Sequence, residues 1–279
     1  MSKVQPNMII SDLDGTLLSN ENSFHKRDMK TLYSLGKNNI IRVIATGRNL
    51  FSAKKVLNDD FPIDYLIFSS GAGVYNWQTK ELIHTNFLES KEVKEISKIL
   101  INNDVDFMIH EMIPENHKFV YHKAHENNID FNNRCKLYKD FSVSLDVSTE
   151  LYKNACQIIA IFPNKVHLFE NMKRKFSDIK VIRATSPLDG ESIWMEIFPI
   201  HVSKGHGVEW LCNYLGIDKN STLGVGNDYN DLDLLEFTRY SYMVENSPDE
   251  LKNKFETCAD NQNCGFSDAV SRHYEFDEK

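Results

Sequence analysis

No apolar run in the chain approaches the length needed to cross a bilayer, which argues against a membrane-embedded protein. The opening Met-Ser-Lys-Val-Gln-Pro-Asn lacks the apolar core of a secretory signal, so a cytoplasmic location is expected. Cysteine is sparse and odd in number: Cys135, Cys156, Cys212, Cys258 and Cys264, with no Cys-x-x-Cys pair. That pattern predicts reduced thiols rather than disulfides or a zinc site. Asn220-Ser221-Thr222 matches a glycosylation sequon, but without a signal it carries no weight. A basic cluster is missing too. The 32 Lys and Arg are scattered among 40 acids, for a net charge of −8, so neither nucleic acid nor an anionic membrane is an expected partner. An acidic chain that binds a phosphate must then supply its positive charge locally.

What is present is ordinary globular composition, 41% hydrophobic and 26% charged, over 279 residues. That length holds one large domain or two smaller ones. The most informative stretch is Met8-Ile9-Ile10-Ser11-Asp12-Leu13-Asp14-Gly15-Thr16-Leu17-Leu18. A short apolar run suited to a buried strand ends in two acids, and Gly15 breaks it. Side chains two apart on a strand share a face, so Asp12 and Asp14 can point into one crevice. Carboxylates that close repel unless a cation or proton sits between them. The arrangement suits phosphoryl transfer, in which one acid attacks phosphorus, its neighbour shuttles the proton and a divalent metal screens the charge. A strand running out into a solvated acidic turn would show the same two residues.

Strand-like runs recur at Ile40–Ile44, Tyr65–Phe68, Thr222–Val225 and Tyr242–Val244, each followed by small or polar residues. With amphipathic segments around Met29–Leu35, Leu50–Leu57 and Val208–Leu215, they predict a doubly wound parallel sheet. In such folds ligands bind beyond the strands' carboxyl ends. Thr46 and Gly47 lie between a strand end and a helix start, where free backbone N–H groups favour an anion; a Thr N-cap in a glycine turn fits them equally. Lys204 falls in the first turn of the helix capped by Ser203, where a cation is unfavourable unless an anion is near. The acids of Gly226-Asn227-Asp228-Tyr229-Asn230-Asp231 suit a hard cation such as Mg²⁺. Between about Asn86 and Pro199 the pattern changes to short β-like runs with helices between them, an α+β unit. Its histidines include His110, His117, His122 and His125. His122 and His125 could share a helix face around a metal, or be scattered surface and core histidines. Trp77 and Trp194 read as packing residues.

Asp-Leu-Asp-Gly-Thr at 12–16, Ala-Thr-Gly-Arg at 45–48, Ser-Lys-Gly at 203–205 and Gly-Asn-Asp-Tyr-Asn-Asp at 226–231 resemble, in order, the four motifs of the haloacid dehalogenase-like hydrolases. The large insertion between the second and third is similar to their Cof-type subgroup. The resemblance implies a doubly wound, Rossmann-like α/β core of residues 1–85 and 200–279. It also implies an inserted α+β cap of residues 86–199 over the core site. It further implies an Mg²⁺-dependent phosphatase working through an aspartyl-phosphate on Asp12, with Asp14 as acid and base. Thr46, Gly47, Lys204 and Asn230 would bind the phosphoryl group. Asp12, Asp14, Asn227 or Asp228, and Asp231 would serve the metal, with Asp228 the favoured charged ligand. Three departures stand out: Ser70 replaces a usual Asn, Asn227 stands where the family has its metal-binding Asp, and Ser247 replaces an Ala. Arg48 follows the second motif, as in many Cof-type members, with no role fixed by sequence. A sugar-phosphate mutase or phosphotransferase, or a non-catalytic phosphometabolite sensor, shares the same start. The insertion has no basic run and is rich in His, Asn, Tyr, Lys and Glu, so the expected partner is a small phosphorylated metabolite such as a sugar or polyol phosphate. Oligomeric state is left open.

Overall fold

The structure, a computed structural model, describes residues 5–148 and 152–275. The N-terminal reading above falls partly on residues 1–4, which with 149–151 and 276–279 lie outside the described residues. The chain opens with β1 (Met8–Ser11), α1 (Lys26–Lys37), β2 (Ile41–Ala45), α2 (Leu50–Ala53), β3 (Tyr65–Phe68), β4 (Gly73–Asn76) and β5 (Glu81–Thr85). It continues with α3 (Ser90–Ile101), β6 (Phe107–His110), β7 (Phe119–His122), α4 (Ile129–Leu137), β8 (Ser142–Ser144), β9 (Gln157–Phe162), α5 (Val166–Lys173), β10 (Ile179–Thr185) and β11 (Ile193–Pro199). It closes with α6 (Lys204–Leu215), β12 (Thr222–Gly226), α7 (Leu232–Phe237), β13 (Tyr240–Val244), α8 (Asp249–Lys252), β14 (Glu256–Cys258) and α9 (Gly265–Ser271).

Among the described residues these elements form two compact units, Met1–Arg48 with Ser52–His84 and Ser203–Lys279, and Asn49–Phe51 with Thr85–Val202. The first holds an eight-stranded sheet in the order β14-β13-β12-β1-β2-β3-β4-β5. Its pairs from β14 to β3 are parallel. The fold is therefore the α/β, Rossmann-like one expected. The antiparallel hairpin of β3 and β4 extends it, through a 3-10 turn at Ser69–Gly71. From β1 the chain builds outward through β2 and β3, and from β12 it builds the other way through β13 and β14. The reversal falls between β1 and β12, and a crevice opens beyond the carboxyl ends of adjacent strands at such a point. Met8, Ile10, Val43, Ala45 and Ile67 cover one sheet face together with Val208, Leu211 and Cys212 of α6.

The second unit has a six-stranded sheet, β10-β11-β9-β6-β7-β8, antiparallel except between β7 and β8. Strand alternation splits β9 and β11. Ile158, Ala160, Ile193 and Met195 pack with α3 and α5, while Ile159, Ile161 and Trp194 face Phe131 of α4. Sequence periodicity missed α4 because its apolar ends, Ile129 and Leu137, are exposed, and it buries Asp130 and Arg134 instead. His122 lies on β7 and His125 in the loop beyond it, so the shared helix face considered for a metal does not exist. The helix α2 is short as well. After Ala53 the chain tightens into three-residue turns, with Lys55 N–H donating to Ser52 O and Val56 N–H to Ala53 O.

Candidate active site

The loop leaving β1 is tied to β12 by Asp12 N–H, which donates to Val225 O over 2.9 Å. Leu13 is completely buried, and its carbonyl accepts from Leu17 and Leu18 N–H, so the loop turns back on itself with Leu13 as the inward anchor. Gly15 makes the turn at φ +75°. A Cβ there would fall 2.5 Å from Asn227 Nδ2, so the position admits only glycine. Asn246 Nδ2 donates to Gly15 O over 2.8 Å and holds the loop from the β13 side. Nothing local in the sequence marks Asn246 as a brace for a residue 231 positions away.

Lys204 is the first residue of α6, set by the Ser203 N-cap, whose Oγ accepts from His206 N–H. Its side chain is 1% exposed, and Nζ donates to Asp12 Oδ1 at 2.6 Å, Asp231 Oδ1 at 2.7 Å and Asn230 Oδ1 at 3.3 Å. The anion expected near this lysine is thus a pair of carboxylates. Gly205 allows the close approach, since a Cβ on it would meet Asp233 O of α7 at 2.4 Å. The second oxygen of Asp231 accepts from Asn227 N–H and Asp228 N–H, at 2.9 and 3.1 Å. Asp231 is therefore the internal strut that shapes the turn after β12.

Burial pushes the Asp12 carboxyl up to about 7, with Asp231 and Asp14 adding to the rise and Lys204 opposing it. Burial also pulls the Lys204 ammonium down, but Asp12 and Asp231 outweigh it and the net direction is up. The lysine is firmly charged, yet it is shared between two acids, and Asp12 remains short of positive charge.

Thr46 follows β2, is completely buried, and its Oγ1 accepts from Arg48 N–H at 3.1 Å. Its own hydroxyl proton is thereby left to point to another acceptor. Ser70 N–H donates to Thr46 O and Ser69 N–H to Arg48 O, joining the turn after β3 to this loop. Arg48 reaches Asp14: Nη2 lies 2.6 Å from Oδ1, and Nε 2.8 Å from Oδ2. So Asp12, Asp14, Thr46, Lys204, Asn227, Asn230 and Asp231 stand on loops, a 3-10 turn and a helix start that are bonded to one another, all in the first unit.

A family model for haloacid dehalogenase-like hydrolases matches residues 9–270, nearly the whole chain. The chain belongs to the haloacid dehalogenase-like hydrolases. It is an enzyme, a phosphatase of the Cof type. A putative phosphatase of Buchnera aphidicola is 27% identical to this hydrolase over 256 residues, covering 88% of each chain. The 5-amino-6-(5-phospho-D-ribitylamino)uracil phosphatase of Bacillus subtilis is 24% identical over 268 residues, covering 88% of this chain and 90% of that one. Among solved structures, a phosphatase of the superfamily from Bacteroides thetaiotaomicron superposes with a TM-score of 0.80 at 16% identity. It covers 98% of this chain and 96% of its own. Such structural likeness speaks to fold.

The residues of this hydrolase fit a hard divalent cation. Asp12 and Asp231 share Lys204, and Asp14 pairs with Arg48; among the described residues no three His, Cys, Asp or Glu side chains are already gathered around one point. The Asp12 and Asp14 carboxylates and the Asp14 carbonyl offer oxygen donors, which suit Mg²⁺. Asn227 and Asp228 differ in what they face. The Asn227 amide lies against Gly15 in the Asp-x-Asp loop, whereas the Asp228 carboxylate accepts from Asp231 N–H and caps the 3-10 turn at Tyr229–Asp231. The cysteines of the described residues are all free. No helix among the described residues is long and apolar enough to cross a membrane.

Proposed function

We propose that this hydrolase cleaves small phosphorylated metabolites, sugar or polyol phosphates, through an aspartyl-phosphate on Asp12. The observation that carries the reading is the buried Asp12 carboxylate bonded to Lys204. It is a desolvated nucleophile with a fixed cation beside it. Asp12 attacks phosphorus as the bond to the leaving oxygen breaks, and Asp14 delivers a proton to that oxygen. Asp14 then takes a proton from the water that attacks the aspartyl-phosphate, releasing inorganic phosphate and restoring Asp12. Thr46 Oγ1–H, Gly47 N–H and Lys204 Nζ are assigned to the phosphoryl oxygens, where charge grows in the transition state. Asn230 and Asp231 orient the lysine.

Mg²⁺ would be held by Asp12, the Asp14 carbonyl and the residue at 227 or 228; when bound it offsets the repulsion between the Asp12 carboxylate and an anionic substrate. Of those two residues we favour Asn227, ligating through its amide oxygen, because its side chain adjoins the loop and the Asp228 carboxylate is engaged in capping. This reverses the preference drawn from charge alone. Residues 86–199 are assigned the cap's role in selectivity. The ribityl phosphate named for the Bacillus subtilis relative belongs to the same chemical class as the substrates proposed here.

The test is phosphate release from sugar monophosphates, polyol phosphates, nucleotides and a phosphopeptide, with water as the only acceptor. It is run after chelation and again with Mg²⁺ restored. The proposal expects the highest kcat/KM on a sugar or polyol phosphate, loss on chelation, and a higher Mg²⁺ requirement for Asn227→Ala than for Asp228→Ala. A preference for the phosphopeptide, or activity indifferent to chelation, would overturn it.

A further inference from the structure

Asp12 and Asp14 are both acids of the same loop, yet they are held in different ways. Asp12 meets the ammonium of Lys204, a point charge that fixes no orientation about the carboxylate. Asp14 meets a planar fork: Arg48 Nη2 at 2.6 Å and Nε at 3.1 Å on Oδ1, with Nε also 2.8 Å from Oδ2. The fork is itself fixed. Nη1 donates to Ser52 O at 3.3 Å, Arg48 N–H to Thr46 Oγ1, and Arg48 O accepts from Ser69 N–H. A carboxylate otherwise turns freely about its last torsion, and a bidentate guanidinium removes that freedom. The pair is only partly covered, with side-chain exposures of 24% for Arg48 and 36% for Asp14. An exposed ion pair of this kind contributes little to stability.

We propose that Arg48 is a positioning residue for the reaction: it aims the Asp14 carboxyl at the leaving-group oxygen. This rests on the reading of Asp14 as the proton donor. In the first step the phosphorus–oxygen bond breaks as Asp12 bonds to phosphorus, and the proton on Asp14 passes to the departing oxygen. Arg48 neither gives nor takes a proton, because a guanidinium stays charged. Its contribution appears only where that proton is needed. An alkyl alkoxide cannot leave without it, whereas a dinitrophenolate can.

The experiment compares kcat/KM for a hexose monophosphate and for 2,4-dinitrophenyl phosphate in the wild type, Asp14→Asn, Arg48→Gln and Arg48→Lys. Because kcat/KM stops at the first irreversible step, it excludes the shared hydrolysis of the aspartyl-phosphate. We expect Asp14→Asn and Arg48→Gln each to lose about 100-fold on the hexose phosphate and less than about threefold on the dinitrophenyl ester. Arg48→Lys, which keeps charge but not the fork, should fall between and show the same selectivity. Equal losses on both substrates for the Arg48 variants, or none on either, would overturn the inference while leaving Asp14 as the donor. Equal losses for Asp14→Asn would overturn that reading and the inference with it. If Arg48→Gln does not fold, Arg48→Lys decides by the same ratio.

Discussion

Both sheets of this hydrolase bury charge, but at different places and with different partners. In the parallel sheet the charged groups gather beyond the ends of β1 and β12, where Lys204 joins Asp12 and Asp231. In the antiparallel sheet they lie on one face, under α4. There Asp130 accepts from Trp194 Nε1–H at 2.6 Å and Ser186 Oγ–H at 2.8 Å, and Arg134 lies 4.4 Å over the Trp194 ring. The first cluster leaves a carboxylate short of positive charge, as chemistry requires. The second satisfies its acid with neutral donors, as a core requires. Buried charge alone does not mark an active site; incomplete compensation at a strand end does.

The comparison predicts its largest effect at Asp12. Asp12→Asn should lower kcat by about 10⁴-fold or more, with Tm unchanged or raised, because one of two buried acids sharing a lysine is gone. A folded variant that keeps more than a tenth of wild-type turnover would remove Asp12 from the role of nucleophile. Lys204→Met should act on both properties. It leaves Asp12 and Asp231 buried without their shared cation, and about 3–5 kcal/mol should be lost in urea unfolding. A loss below about 1 kcal/mol would mean that the two acids shed their charge on removal of the lysine at little cost.

The smallest effect belongs to the second sheet. His110 is 1% exposed, its Nδ1 lies 2.8 Å from Asn116 O, and burial, with Arg134 adding to it, holds its pKa down at about 3. Below its ordinary value of about 6.5 the unfolded chain takes up a proton that the folded chain refuses. Stability from this residue is complete above that value and declines as pH falls toward 3. Between pH 7.5 and pH 5 the wild type should lose about 2 kcal/mol more than His110→Gln does. Identical pH profiles would show that His110 accepts its proton without opening the fold.

Much of the first unit was legible because its signals are local. Apolar runs ending in Asp, Thr-Gly or Gly-Asn marked β1, β2 and β12, and their order placed the acids at strand ends. The α4 helix was not legible, because it buries Phe131 beside the charged Asp130 and Arg134 and exposes its apolar ends, Ile129 and Leu137. Nor were β4, β5, β8 and β14, which are short and lack a strong alternation. The fork between Arg48 and Asp14 could not be read either, since it depends on a side-chain direction and not on a spacing. For Asn227 and Asp228, charge favoured one residue and geometry the other. Sequence could state that choice but could not make it.

The lysine that meets Asp12 stands 192 positions further along the chain. In the order of synthesis β1 and β2, paired through Met8 and Ile41, both precede β12, which fills the other edge of β1 at Thr222. Until then the Asp12 loop has neither its cation nor the Val225 carbonyl that fixes its backbone. A chain cut short before α6 would carry the Asp-x-Asp motif intact and hold a carboxylate with nothing to bury it against. The charge that serves the reaction therefore also ties the first motif to the last part of the chain, so that only a finished molecule can have a working site.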